Sequence, residues 1–229
     1  MSSSSDPLST AVVHAGESVP AGAQVYPEPG ASFWNGGALP YAIPSKKLGM
    51  WLFIVSDAIT FSAVIFAYGY LRLAAPDWPR PFETPSIVNA TVMTFVLLTS
   101  SVAMVLAVRA SNLGKVSGAV GWLLATAAGG MLFDVLHIRE WLGLIHEGVR
   151  PFQNPWGTPM FGAAFFTMTG LHMVHVTIGV IYLLIVAAGY RARKLSAVDV
   201  EVSGLYWHFV DLVWMFIFPL VYLLSAKMA

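Results

Sequence analysis

Residues 159–189 read PMFGAAFFTMTGLHMVHVTIGVIYLLIVAAG, and this stretch decides the class of protein. It contains no Asp, Glu, Lys or Arg. About 20 apolar residues are enough to cross the hydrocarbon core of a bilayer as a helix. Backbone groups in lipid must satisfy their own hydrogen bonds, and the stretch has no alternating strand pattern, so we expect a transmembrane helix.

Four more stretches of this kind are found in the chain of 229 residues. The five predicted spans are 48–73, 87–108, 116–138, 159–189 and 204–226. The composition agrees, because 57% of the residues are hydrophobic and only 10% are charged, whereas soluble domains have about 25% charged residues. We therefore predict an all-α, polytopic membrane protein with five transmembrane helices.

Charge and cysteine content exclude several classes of function. The 12 basic residues balance the 12 acidic residues, so the net charge is zero, and a nucleic-acid binder would carry a basic patch or stripe. The chain has no cysteine, which excludes disulfides, thiolate metal sites and cysteine nucleophiles within it. Any metal would have to be held by His and carboxylate side chains.

The chain divides into a polar segment, 1–45, and a membrane domain, 46–229. The first segment begins with a serine run and is rich in Pro, Gly and Ala. It lacks the basic and apolar regions of a signal peptide, and it cannot bury enough apolar surface to order itself. We expect an extended arm that lies on the membrane face or on a partner.

The distribution of Lys and Arg predicts the orientation in the membrane. The end that carries the arm has seven of the 12 basic residues: Lys46, Lys47, Arg109, Lys115, Arg191, Arg193 and Lys194. The opposite end has the other five: Arg72, Arg80, Arg139, Arg150 and Lys227. Since basic residues accumulate on the cytoplasmic side, we expect a cytoplasmic N-terminus and a C-terminus outside.

Five ionisable residues stand out within the predicted spans, where a charge costs about 3 kcal/mol even on the most lenient scale. They are Asp57 in the first helix, His172 and His175 in the fourth, and His208 and Asp211 in the fifth. Glu201 lies seven residues before His208. Helical spacing places both histidines of the fourth helix on one stripe with Gly179, whose small size would allow a neighbouring helix to approach.

The residues alone leave three interpretations of this polar set open. The stripes of the fourth and fifth helices could meet, so that His and carboxylate hydrogen-bond to each other. His172, His175 and His208 could bind a metal ion. Asp57 could be either a buried structural carboxylate or a proton-linked group. A further group, Asp134 to Trp141, is expected at the outer end of the third helix, in solvated or interfacial positions.

Three segments resemble subunit III of the haem-copper terminal oxidases in its short bacterial form with five spans. KLGMWLFIVSDAITFSAVIFAY, from Lys47, is similar to the first shared helix of the family, with Asp57 where many members have Glu. FFTMTGLHMVHVTIG, from Phe165, resembles the helix with Thr-Gly-x-His-x-x-His-Val. LYWHFVDLVWMFIF, from Leu205, is similar to the Trp-His-Phe-Val-Asp-x-Val-Trp sequence that ends the family. His137 stands near a position often held by Gln.

The resemblance implies a subunit without a catalytic site, metal, haem or copper of its own. Such a subunit packs against the catalytic subunit I, with subunit II and a small subunit IV as further partners, and holds phospholipids in a V-shaped helical bundle in the bacterial inner membrane. It supports proton uptake and the stability of a complex that reduces oxygen to water and pumps protons. Haem and copper are expected in the partner subunits, and cytochrome c or quinol interacts only through the complex.

The resemblance also implies roles for individual residues. Asp57 takes the place of a buried carboxylate that is a candidate for proton linkage. The polar helix interface contains His172, His175, Glu201, His208 and Asp211, and the candidates for phospholipid headgroup contacts are Arg191, Arg193 and Lys194. A quinol oxidase subunit, a partner of a nitric oxide reductase and a proton-linked transporter stay open as alternatives.

Overall fold

The computed structural model describes residues 44–227, apart from the side chain of Pro159. The predicted extended arm lies outside the described residues and stays a prediction. Five long helices follow one another: α1 (Ser45–Ala74), α2 (Thr84–Asn112), α3 (Val116–His146), α4 (Pro159–Arg191) and α5 (Ala197–Ile217), and α5 continues into a π-helical segment, Phe218–Leu223. All five are long and apolar enough to cross a membrane. The all-α fold with five spans is therefore confirmed.

The helices extend beyond the spans that hydropathy predicts, and the largest differences at a single end are in α3 and α5. α3 continues to His146, eight residues beyond the predicted end, and stops where Gly148 adopts a φ of +88°. α5 begins at Ala197 rather than at 204, because the Asp199 carboxylate accepts the backbone N–H of Ser196 at 2.8 Å. This pairing of Ser196 with Asp199 is a helix-start signal that hydropathy does not detect.

Helices α2 to α5 form a four-helix bundle in which each helix packs on two others. α2 packs on α3 and α5, and α4 packs on the same two helices. The largest side chains in the interior are the indoles of Trp207 and Trp214 on α5, each no more than 1% exposed. Gly179 on α4 allows the close approach that its spacing predicted, since a Cβ there would meet the Trp207 ring at 3.0 Å.

α1 lies against this bundle through one stripe of side chains. Its buried residues are Ile54, Phe61 and Tyr68, which are seven residues apart and therefore share one face. Most of its other apolar side chains are exposed, as expected for a helix that faces lipid or another membrane protein.

The C-terminal end of the bundle is held to α1 by polar contacts. The Arg72 guanidinium donates to Leu224 O at 2.7 Å and to Ser225 Oγ at 2.9 Å, and Tyr68 Oη donates to Leu220 O at 3.1 Å. The start of α2 is held in the same region, because Lys227 N donates to Phe82 O at 2.9 Å.

Candidate functional site

The contact between Asp57 and His175 joins α1 to α4. Asp57 follows Ile54 by three residues and precedes Phe61 by four, so it lies on the stripe by which α1 meets the bundle. Asp57 Oδ2 is 3.2 Å from His175 Nε2, and the two side chains are only 12% and 13% exposed. The contact lies deep within the spans of both helices.

The hydrogen-bond partner of His175 limits the protonation states that this contact allows. His175 Nδ1 is 2.7 Å from Leu171 O, and because a carbonyl can only accept, Nδ1 carries a hydrogen. A neutral His175 then has an acceptor at Nε2, directly facing a carboxylate that is also an acceptor. A stable contact at 3.2 Å needs one further proton, on either Nε2 or Oδ2. Asp57 Oδ2 has no hydrogen-bond partner among the described residues, so His175 Nε2 is the group within reach that could share a proton with it.

Aromatic groups surround the pair and limit its access to water. The Phe61 ring lies 5.0 Å from the His175 ring, and Tyr206 Oη donates to His175 O at 3.0 Å. Tyr206 belongs to α5, so three helices meet here. A low local dielectric of this kind strengthens the attraction between the two partners.

The predicted pairing between the polar stripes of α4 and α5 is wrong in its partners. His175 pairs with Asp57 of α1 instead. His208 pairs with α2, because its Nδ1 is 2.7 Å from Ser101 Oγ. His175 of α4 and His208 of α5 therefore contact two different neighbouring helices, α1 and α2.

Hydroxyl groups on α2 are the partners that sequence reasoning missed. Besides Ser101, Ser100 Oγ accepts Trp207 Nε1 at 3.0 Å, and Thr94 Oγ1 accepts Trp214 Nε1 at 2.9 Å. The spacing does not match between the two helices, since Thr94 and Ser100 are six residues apart and the two tryptophans are seven apart. Ser and Thr are common at helix contacts in membranes, so the spacing alone could not single these residues out.

His172 lies in a different environment, in the interior between α3, α4 and α5. Both His172 and His137 are 0% exposed. The two imidazoles share two aromatic neighbours: the Phe133 ring is 5.5 Å from each, and the Trp214 ring is 5.2 Å from His172 and 5.7 Å from His137. None of the four ring nitrogens has a hydrogen-bond partner among the described residues.

The residues predicted in solvated positions at the outer end of the third helix differ in burial: His137 is buried, Asp134, Glu140 and Trp141 are half-buried, and Arg139 is exposed. Glu140 Oε2 accepts Tyr222 Oη at 3.0 Å, and Asp134 Oδ2 accepts Thr177 Oγ1 at 3.0 Å. Trp141 Nε1 donates to Thr169 Oγ1 at 3.2 Å. Solvated pairing does not describe these groups, since each bonds across to another helix.

Two openings bring polar residues to the surface of the bundle. A cavity of about 440 Å³ between α2 and α5 is lined by Glu201 and His208 together with Arg109 and Asn112. A polar cleft of about 230 Å³ between α2 and α3, at the opposite end, is lined by Glu140, Glu147 and Asn89.

The basic residues Arg191, Arg193 and Lys194 are exposed at the end of α4. Arg193 has a φ of +55°. It lies in the short turn between the end of α4 and the start of α5. Within residues 44–227, no group of three or more His, Cys, Asp or Glu side chains is arranged to hold a metal ion.

Comparison with known proteins identifies the family. The sequence pattern of cytochrome c oxidase subunit III matches residues 37–226, which is most of the chain. The chain belongs to this family. It is 32% identical over 185 residues to the cytochrome c oxidase subunit 3 of Alkalihalophilus pseudofirmus, covering 80% of this chain and 88% of that protein. It is 33% identical over 181 residues to the quinol oxidase subunit 3 of Bacillus spizizenii, covering 78% and 86%.

A third relative is the cytochrome bo(3) ubiquinol oxidase subunit 3 of Pseudomonas aeruginosa, which is 33% identical over 184 residues, covering 78% of this chain and 84% of that protein. The family and the five spans together establish a multi-pass membrane protein that is a subunit III of a haem-copper oxidase, and so a component of an oxidoreductase complex that associates with other oxidase subunits. The transporter alternative is not favoured.

Proposed function

We propose that this chain is the non-catalytic subunit III of a proton-pumping oxidase of the cytochrome c oxidase type in a bacterial plasma membrane. The observation that carries the proposal is the match to the family over residues 37–226. In this role the chain packs against the catalytic subunit I, with subunit II and a small subunit IV as further partners, while the complex reduces oxygen to water.

The haem and copper belong, in this proposal, to the partner subunits. The histidines of α4 are engaged otherwise: His175 contacts Asp57, and His172 is enclosed by the rings of Phe133 and Trp214. The chain contributes support for proton uptake and stability, for which the Asp57–His175 pair is the candidate group because a buried carboxylate and an imidazole lie 3.2 Å apart.

Bound phospholipids complete the proposed role. The exposed apolar faces of α1 need lipid or a protein neighbour. The exposed Arg191, Arg193 and Lys194 at the end of α4 are placed to interact with anionic headgroups, which attract each nearby basic residue by about 1 kcal/mol.

Purification from the native membrane tests the proposal. A tagged full-length chain should elute with haem-containing subunits, and the eluate should consume oxygen with reduced cytochrome c as the donor. Oxygen consumption with ubiquinol but not with cytochrome c would identify a quinol oxidase instead, a type that two of the relatives also represent. An eluate without haem would contradict the proposal.

The proposed orientation has a cytoplasmic N-terminus. Because the chain lacks cysteine, single cysteines can be placed at exposed positions at the two ends of the bundle, Lys194→Cys and Glu147→Cys. In intact cells an impermeant thiol reagent should label the variant at position 147, whereas labelling at position 194 should require permeabilised cells. The reverse pattern would show the opposite orientation.

A further inference from the structure

The interior between α3, α4 and α5 contains unmatched hydrogen-bonding groups. His137 and His172 are fully buried, and all four of their ring nitrogens are unpartnered among the described residues. A neutral imidazole presents one donor and one acceptor, and a buried polar group without a partner carries a large desolvation penalty. Two adjacent residues of this kind call for an explanation.

The surrounding side chains cannot satisfy these nitrogens. The indole N–H of Trp214 is donated to Thr94, and that of Trp141 to Thr169. The Tyr222 hydroxyl is donated to Glu140. The ring contacts of the two imidazoles are with Phe133, Trp141 and Trp214, and a contact between an N–H and a ring face recovers only part of a hydrogen bond.

The same nitrogens belong to a series of proton-accepting groups: Glu140, His137, His172 and His175. Glu140 and His137 are three residues apart on α3, and His172 and His175 are three residues apart on α4, so each pair shares a helix face. The series passes from α3 to α4 at His137 and His172, the two imidazoles that flank Phe133. It ends at the pair formed by His175 and Asp57.

Glu140, the first member of this series, lies at the surface of the bundle. Glu140 lines the polar cleft between α2 and α3. One of its oxygens accepts Tyr222 Oη, whereas the other, Oε1, is buried and has no partner among residues 44–227. Glu140 therefore lines the cleft and lies one helical turn from the buried His137.

We propose that Glu140, His137 and His172 form a hydrated proton path from the cleft between α2 and α3 to the Asp57–His175 pair. Water bound to the ring nitrogens bridges successive groups, since a buried water needs polar partners of this kind. When one nitrogen of an imidazole accepts a proton, the other nitrogen releases one. The ring is then in its other tautomer, and a return to the first tautomer prepares it for the next transfer. The path extends beyond the proposed function and does not depend on the electron donor of the complex.

A thiol placed within the path tests for water and proton access. The chain has no cysteine, so His172→Cys in the full-length chain has a single S–H group, whose infrared band lies in a region free of other protein bands. The matched control is Met168→Cys, one helical turn away on the same helix and also 0% exposed. Transfer to D2O should convert the thiol at position 172 to S–D roughly tenfold or more faster than the one at 168, which opens only by local unfolding.

Second substitutions test the proposed route. Glu140→Leu should slow exchange of the thiol at position 172, while Glu147→Leu, an exposed residue of the same cleft, should leave it unchanged. Equal rates of thiol exchange at positions 172 and 168 would contradict a hydrated site at His172. If exchange at position 172 is fast and Glu140→Leu does not slow it, the route through Glu140 is contradicted. Should His172→Cys not fold, His137→Cys serves as the reporter with the same outcomes.

A stability measurement gives an independent check. His172→Phe removes the unmatched nitrogens and preserves the ring. A rise in the melting temperature of the full-length chain would show that the histidine is unsatisfied and the interior dry, which contradicts the proposal. A fall is expected if the nitrogens are hydrogen-bonded to water.

Discussion

Asp57 illustrates how far the sequence alone can go at the scale of a single residue. Its position within an apolar helix marked it as unusual, and the resemblance gave it the place of a buried carboxylate. Its partner was not predictable, because the contact with His175 depends on where α1 lies against α4. Hydropathy predicts where the spans lie, but it does not predict which helices pack against each other.

Substitution of Asp57 separates its structural role from its proton-holding role. Asp57→Asn keeps a donor for His175 Nε2 but carries no titratable proton, so we expect little change in stability and a shorter catalytic lifetime of the complex. Asp57→Ala loses the contact as well, and should lower the free energy of unfolding by about 1–3 kcal/mol. Thermal denaturation and the decay of oxygen consumption during turnover measure the two effects.

An unchanged lifetime in both variants would show that the proton held by this pair has no part in turnover. Asp57→Glu serves as the control, because it restores the carboxylate that many family members have at this place.

Asp211 is expected to support attachment of α5 to α2 and hence assembly of the complex. It is 8% exposed and interacts with Ser101, which also contacts His208. Asp211→Ala leaves this buried polar group incomplete, at a cost of about 1–3 kcal/mol, and should reduce the amount of subunit that co-purifies with haem. Asp211→Asn, which keeps an acceptor, should retain more of it. Equal recovery of both variants and the unmodified chain would contradict this role.

At the scale of helices, close packing around Trp207 fixes the arrangement of α3, α4 and α5. A Cβ at Gly179 would meet the indole at 3.0 Å, and a Cβ at Gly130 on α3 would overlap it from another direction as well as Val180. With small residues on two helices, the ring has no free space into which to move. The role of Gly179 was visible from its spacing, whereas that of Gly130 was not, since α3 contains several glycines.

Gly130→Ala should therefore destabilise the bundle. Overpacking of a well-filled interior costs about 1–3 kcal/mol. The matched control is Gly121→Ala in the same helix, where nothing lies within 4 Å of the added Cβ, so this change should be neutral or stabilising by up to about 1 kcal/mol. Thermal denaturation of the two variants gives the comparison, and equal melting temperatures would contradict tight packing at Trp207.

At the scale of the whole molecule, the sequence gives the number of helices correctly and their arrangement incompletely. Each span is a local property of some 20 residues, so it can be seen in the sequence. The ring of contacts among α2 to α5, and the attachment of α1 by a single stripe, depend on shape complementarity between distant segments. The ends of α3 and α5 were underestimated because both continue past the apolar core as polar helix.

The polar contacts of Arg72 should control the mobility of the end of α1. Arg72→Met removes hydrogen bonds from a charged group to Ser225 and Leu224, worth about 1.5–3 kcal/mol each before solvent screening is considered. We expect faster hydrogen–deuterium exchange near Tyr68 and no change near Ile54. Arg80→Met, at an exposed arginine in the following loop, is the control and should leave both regions unchanged.

The π-helical segment Phe218–Leu223 resets the angular phase of the last turns. In a regular α-helix, residues seven apart return to nearly the same direction, so Val221 would continue the line of Trp207 and Trp214. The wider turns accommodate an additional residue and bring Tyr222 under Trp214 instead, with ring centres 5.9 Å apart. In a regular α-helix of the same sequence, Tyr222 would lie one residue beyond the line of Trp207 and Trp214, and its hydroxyl would turn away from Glu140 Oε2, which it contacts at 3.0 Å.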